Sequence, residues 1–166
     1  MPWQINYHLR VPQSTDLFIY AGEGTLKLSG IEGAFEFEET AQTRQLELSG
    51  GTVKGVIGRG SALLKISGRS WRGNGAIIQV GVGDLTIELP AGFNADIDAA
   101  VLRTGKVENT YSDLTPLELT TPTDHLFKGR SGAGGARFDF TGRRRPASHP
   151  TCCKLNPTNG NRADDS

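Results

Sequence analysis

The chain has 166 residues, with 18 basic and 18 acidic side chains and a formal net charge of zero at pH 7. That balance excludes a global field able to recruit nucleic acid or an anionic membrane, and the length favours one domain with a real core. Twenty-two glycines and an aromatic content of 7% point to tight turns around an aliphatic interior, and no apolar run approaches the roughly 20 residues of a membrane span.

Met1-Pro2-Trp3 opens directly on strand-like sequence, without the basic and then apolar regions of a signal peptide. Trp3, Ile5, Tyr7, Leu9 and Val11 alternate with Gln4, Asn6, His8 and Arg10, which predicts a half-buried strand ended by Pro12. A second strand, Leu17-Phe18-Ile19-Tyr20, runs into the glycine corner Ala21-Gly22-Glu23-Gly24. Together they open a stack that Trp3 and Tyr7 are placed to cap.

The stack itself is announced by a repeated phrase: Leu26-Lys27-Leu28-Ser29-Gly30, Leu46-Glu47-Leu48-Ser49-Gly50, Leu64-Lys65-Ile66-Ser67-Gly68 and, varied, Leu85-Thr86-Ile87-Glu88-Leu89. Each copy reads inward-outward-inward, and none buries an apolar face alone, so stacked units are expected. With first leucines superposed, Lys27, Glu47 and Lys65 form an outward column of alternating sign, worth about 0.2–1 kcal/mol per pair.

Ile31, Phe35 and Phe37 supply the other inward side of one unit, with Glu36, Glu38 and Glu39 outward; Val53, Val56 and Ile57 supply the next. Arg69-Ser70-Trp71-Arg72-Gly73-Asn74-Gly75 is a longer excursion, read either as a solvated turn with the indole over the coil or as a ligand-binding bulge. Leu89-Pro90 ends a strand. Phe93, Ala95 and Ile97 then alternate with Asn94, Asp96 and Asp98, Gly105-Lys106-Val107 begins another unit, and Asn109 to Pro116 reads as a loop. Gly129 to Gly135 is a glycine-rich turn opening the strand Ala136 to Phe140.

From Gly142 the composition changes to Arg143-Arg144-Arg145-Pro146, His149-Pro150 and Asn159-Gly160-Asn161. This leaves too little apolar surface to offset the entropy of ordering, so 142–166 is expected to be a disordered or loosely attached tail behind a domain of residues 1–141. Cys152 and Cys153 are adjacent and close no ordinary disulfide loop, nor do they have zinc-site spacing. No helical period persists for ten residues.

Val11-Pro12, the repeated glycine-punctuated apolar units, Leu89-Pro90, Ala95-Asp96-Ile97-Asp98-Ala99 and Gly105-Lys106-Val107 together resemble the large bacterial family of adhesin-like domains of unknown function. The resemblance runs from about Ile5 to Thr110, more weakly to Phe140. It implies a right-handed β-helix, exported or associated with the cell envelope, with no defined reaction; the adhesin label is itself an analogy from fold.

Among constellations with chemistry, Asp96 and Asp98 share a strand face at about 6–7 Å, a geometry compatible with general acid/base work and equally with edge protection. Gly81-Val82-Gly83-Asp84 is one isolated, shifted copy of a calcium-repeat pattern, and Gly129 to Gly135 lacks the Lys-Ser/Thr of a phosphate loop. His8, His125 and His149 are scattered and form no triad; Arg143-Arg144-Arg145 lacks interleaved aromatics. Neither metal nor cofactor is expected.

The expected fold is all-β, a right-handed single-stranded β-solenoid of roughly six or seven coils, with an antiparallel β-sandwich as the alternative. The expected function is non-enzymatic envelope or surface interaction with a glycan or protein, through Arg69, Trp71, Arg72 and Tyr111. The alternatives are a β-helix carbohydrate-active enzyme working through Asp96 and Asp98, and a structural spacer.

Overall fold

In the computed structural model, which describes residues 6–41, 44–102, 105–117, 123–142 and 151–158, the repeated phrase forms β2 (Leu26–Ile31), β4 (Arg44–Leu48), β6 (Ala62–Ile66) and β8 (Asp84–Leu89). These four are consecutive parallel neighbours in one sheet. Period-two alternation buries Leu46, Leu48, Leu64, Ile66, Ile87 and Leu89 and leaves Lys27 and Glu47 in solvent.

The register matches the phrases only between β4 and β6, where Leu46 faces Leu64 and Glu47 faces Lys65. In the first step Leu28 faces Leu46 and Lys27 faces Gln45, so the expected Lys27–Glu47 pair does not form. In the last step Leu64 faces Ile87. The ladder advances 18 residues at each of the first two steps, Leu28 to Leu46 to Leu64. Between Ser29 and Ile31 the pairing shifts by one, with Gly30 at φ 72° as the extra residue, and Ile31 becomes an inward side chain.

Strands between the phrases form a second sheet: β1 (Leu17–Glu23), β3 (Ala34–Ala41), β5 (Gly50–Arg59), β7 (Arg72–Val82) and β9 (Ala95–Val101). Phe35, Phe37, Val53, Ile57, Ile78, Val80 and Ile97 point from it into the same apolar cluster as the phrase residues. Val56 does not: strict alternation turns it out, and Gly55 takes the inward place against the Phe37 ring, where a Cβ would collide. The corners stack closely too, with Gly33 O over Gly51 and Gly51 O over Gly73.

The rest of the chain departs from sequential stacking. After β10 (Gly105–Asn109) come β11 (Leu114–Pro116), β12 (Leu126–Ser131), β13 (Ala136–Gly142) and β14 (Thr151–Pro157). The larger sheet has the order β1-β3-β5-β7-β13-β9-β12-β11, the smaller β10-β14-β8-β6-β4-β2. Thus β13 and β14 are inserted between strands made earlier, β13 between β7 and β9, β14 between β8 and β10.

Several expectations change accordingly. Among the described residues ten of the twelve strand pairings are parallel, which rules against an antiparallel sandwich; the two antiparallel ones, β12 with β9 and β11 with β12, lie at one edge. The loosely attached tail fails at Thr151–Pro157, because Cys153 and Leu155 alternate inward and are buried beside Leu85 and Ile87. Arg143-Arg144-Arg145, His149 and Asn159-Gly160-Asn161 lie outside the described residues. The expected loop from Asn109 to Pro116 contains β11 and the buried Tyr111 and Leu114, and part of the Gly129 to Gly135 turn belongs to β12. Asn6 to Val11 forms no strand despite its alternation; Trp3 and Ile5 lie outside the described residues.

Where β13 enters, the two sheet neighbours it separates are still in contact: Ser70 bridges to Asn94, and Asn94 N–H donates to Arg69 O at 3.2 Å. One step further Arg137 already pairs with Gly75 on one side and Asp96 on the other. Aromatic side chains fill the fork. Phe138 meets Trp71 edge-on at 5.1 Å and Phe93 edge-on at 5.7 Å.

Candidate ligand groove

The expected contact residues are not brought together. Trp71 is only 8% exposed and its indole Nε1 donates to Gly51 O at 2.9 Å, while Tyr111 is 3% exposed and its hydroxyl donates to Pro90 O at 2.6 Å. Tyr111 Oη also accepts from Phe93 N–H at 3.3 Å. Both rings are therefore spent in the core, each with its polar tip satisfied by a neighbouring corner. Nearby, the Gly92 N–H bond at 2.9 Å holds the Asp113 carboxyl below its ordinary value. Arg69 and Arg72 do remain in solvent. Trp71→Phe keeps the ring but leaves Gly51 O without this donor, and urea unfolding should register a loss of about 1–3 kcal/mol.

The acidic pair leads to a different grouping. Asp96 and Asp98 stand on β9, whose inward Ala95, Ile97 and Ala99 are buried, so both carboxylates rise from the outer face of the larger sheet. The antiparallel register of β12 sets Arg130 beside Asp96 and Lys128 beside Asp98; the parallel register of β13 sets Arg137 beside Asp96 and Asp139 beside Asp98. Arg130 binds Asp96 in a fork, Nε to Oδ1 at 2.6 Å and Nη2 to Oδ2 at 3.3 Å. This hydrogen bond first, and the opposed charge second, raises the Arg130 guanidinium further above its ordinary value. Lys128 Nζ lies 2.7 Å from Asp98 Oδ2, and Arg137 Nε lies 3.1 Å from Asp139 Oδ2.

Asp96, Asp98, Leu117, Lys128, Arg130 and Arg137 line a groove of about 260 Å³. Ile97 and Gly129 complete its lining; the glycine-rich turn after β12 is held by Ala133 N–H donating to Asn94 Oδ1 at 2.9 Å. The cations stand above the acids that pair with them: side chains of Lys128, Arg130 and Arg137 are 39%, 51% and 69% exposed, against 22%, 32% and 28% for Asp98, Asp96 and Asp139. The surface offered to a ligand is thus one of N–H donors fixed from below by carboxylates.

Sequence reasoning found the two aspartates and missed their cationic partners. Lys128 and Arg130 lie thirty or more residues on from the acids they pair with, and Arg137 further still; only the reversal of β12 and the return of β13 to β9 bring them close. Alternation of Lys128 with Arg130 was the available signal, hidden because Gly129 reads as a turn residue. Among the described residues no group of three or more His, Cys, Asp or Glu side chains is placed to hold a metal ion, and no helix is long and apolar enough to cross a membrane. Comparison of the chain with protein-family models, curated proteins and solved structures finds no match in any of the three.

Proposed function

We propose that the chain is a non-enzymatic interaction module, a right-handed β-solenoid of the adhesin-like kind that works at a cell envelope or surface and binds a glycan on the outer face of its larger sheet. Parallel pairing that advances 18 residues at each of the first two phrase steps, with β1 to β10 alternating between the two sheets, supports the solenoid reading. The binding reading is carried by the groove, where Lys128, Arg130 and Arg137 project above buttressing carboxylates. Fixed guanidinium and ammonium donors suit the carboxylate, sulfate and hydroxyl groups of an acidic polysaccharide.

A β-helix polysaccharide enzyme is the second reading, favoured by the same convergence of acids and cations. Against it, each groove carboxylate is engaged at 2.6–2.7 Å by a cation, which occupies an oxygen that a general acid or base would have to present to substrate. Retention and turnover on acidic and neutral polysaccharides separate the two. Wild type should be retained on acidic polysaccharide without cleaving it, and Arg130→Gln/Arg137→Gln should bind about tenfold more weakly or worse, as loss of hydrogen bonds to charged groups implies. Turnover by wild type that disappears in Asp96→Asn/Asp98→Asn would make the protein an enzyme. Equal indifference of all variants to every polysaccharide would remove the glycan reading.

A further inference from the structure

The two ends of the strand stack are finished differently. At one end antiparallel β12 and the short β11 close the larger sheet, Val107 N–H on β10 donates to Asp124 O at 2.7 Å, and Tyr111 and Leu114 are buried. At the other, β1 and β2 are outermost. Their inward residues Leu17, Ile19, Leu26 and Leu28 are only half-buried, although the positions stacked on them, Phe35, Phe37, Arg44 and Leu46, are almost wholly buried. Among the described residues, the segment Asn6 to Val11 has the alternation of a strand and no strand partner, and its Tyr7 and Leu9 are 79% and 82% exposed.

We infer that this segment is the closing strand of the stack, pairing in parallel with the free edge of β2. The corner that would deliver it is already in place. Glu32 N–H donates to Gln13 O at 2.8 Å, Thr15 O lies against Gly33 as Gly33 O lies against Gly51, and Asp16 Oδ1 accepts from Ala34 N–H at 2.8 Å. The corner bond has the same form as Thr52 N–H to Gly33 O, which belongs to the ladder where Ala34 faces Thr52. By that rule Ser14 faces Glu32.

Continuing backwards, Gln13 faces Ile31; Gly30, the extra residue of β2, takes no partner; Val11 then faces Leu28, and Leu9 faces Leu26. Without the bulge Arg10 would fall on Leu28 and the faces would clash, so the irregularity already seen against β4 is the one that brings apolar over apolar here. The closed strand covers both leucines and removes an unpaired edge from the surface, protecting it from edge-to-edge association. It also sets Arg10 outward beside Lys27, a like-charged pair that weakens the closure and leaves it reversible.

Hydrogen exchange of the full chain, followed by mass spectrometry at low and high protein concentration, tests this. Amides of residues 7–11 are expected to exchange roughly tenfold or more slower than unstructured chain, independently of concentration, in a monomeric protein. Leu9→Asp should abolish that protection and deprotect Leu26–Ile31 while leaving β8 and β14 unchanged, and Lys27→Glu should slow exchange further. Free-chain rates at residues 7–11 in wild type would overturn the inference. So would protection that appears only as dimer forms, which would assign the edge to a second copy.

Discussion

Phe138→Ala is expected to lower the unfolding free energy by about 3–5 kcal/mol, the range for removing a buried phenyl ring. Phe138 is fully buried and stands where β13 parts β7 from β9, touching Trp71, Phe93 and Phe140. The side chains around it belong to strand ends that are fixed by a bridge on one side and by two ladders on the other, so they have little freedom to collapse into the void. A domain has about 5–15 kcal/mol of stability in all, so the variant should be partly unfolded under mild conditions. Urea titration followed by tryptophan fluorescence would measure it, and an unchanged slope with a lowered midpoint would place the effect in the folded state. Phe138→Leu, which retains most of the volume, should cost clearly less; equal losses would argue that the fork is loosely packed.

Leu155→Ala should cost about 2–5 kcal/mol, the usual range for a buried leucine. The side chain is completely buried, and its strand sits in the interior of the smaller sheet, with Leu155 facing Ile87 on one side and Asn109 on the other. Composition alone gives the opposite expectation. If residues beyond Gly142 were loosely attached, the substitution would shift the denaturation midpoint by almost nothing. Thermal and urea denaturation of this one variant therefore distinguish an interior strand from an appendage.

The contrast explains which parts of the fold were legible. Leu46-Glu47-Leu48 and Leu64-Lys65-Ile66 declare themselves because each inward residue is a large aliphatic and each outward one is charged, and β4 and β6 stack as the phrases predict. Cys152-Cys153-Lys154-Leu155-Asn156 has the same period with weaker letters, surrounded by prolines and charges whose composition dominates any window laid over it. What selects it as an interior strand is the space between β8 and β10, and no local pattern records that space. Val56 was misread for a simpler reason: a glycine can hold an inward position when a ring lies over it, as Phe37 lies over Gly55. The groove was half legible, since Asp96 and Asp98 share a face by period alone but their cations arrive by reversal and re-entry of the chain.

That re-entry bears on how the molecule reaches its folded state. A stack built in chain order can grow one unit at a time, each settling on a neighbour already made. Here β8 meets a strand that begins more than sixty residues later, Leu85 facing Cys153, and β10 has no described ladder partner other than β14. Synthesis at about 5–20 residues per second leaves these earlier strands waiting seconds for the one that joins them. During that interval two parallel edges stand open, and the long-range closure that ends it is of the slow, non-local type. The assembly is therefore completed from its middle, and the vulnerable stage in its biogenesis falls before Thr151–Pro157 has been inserted.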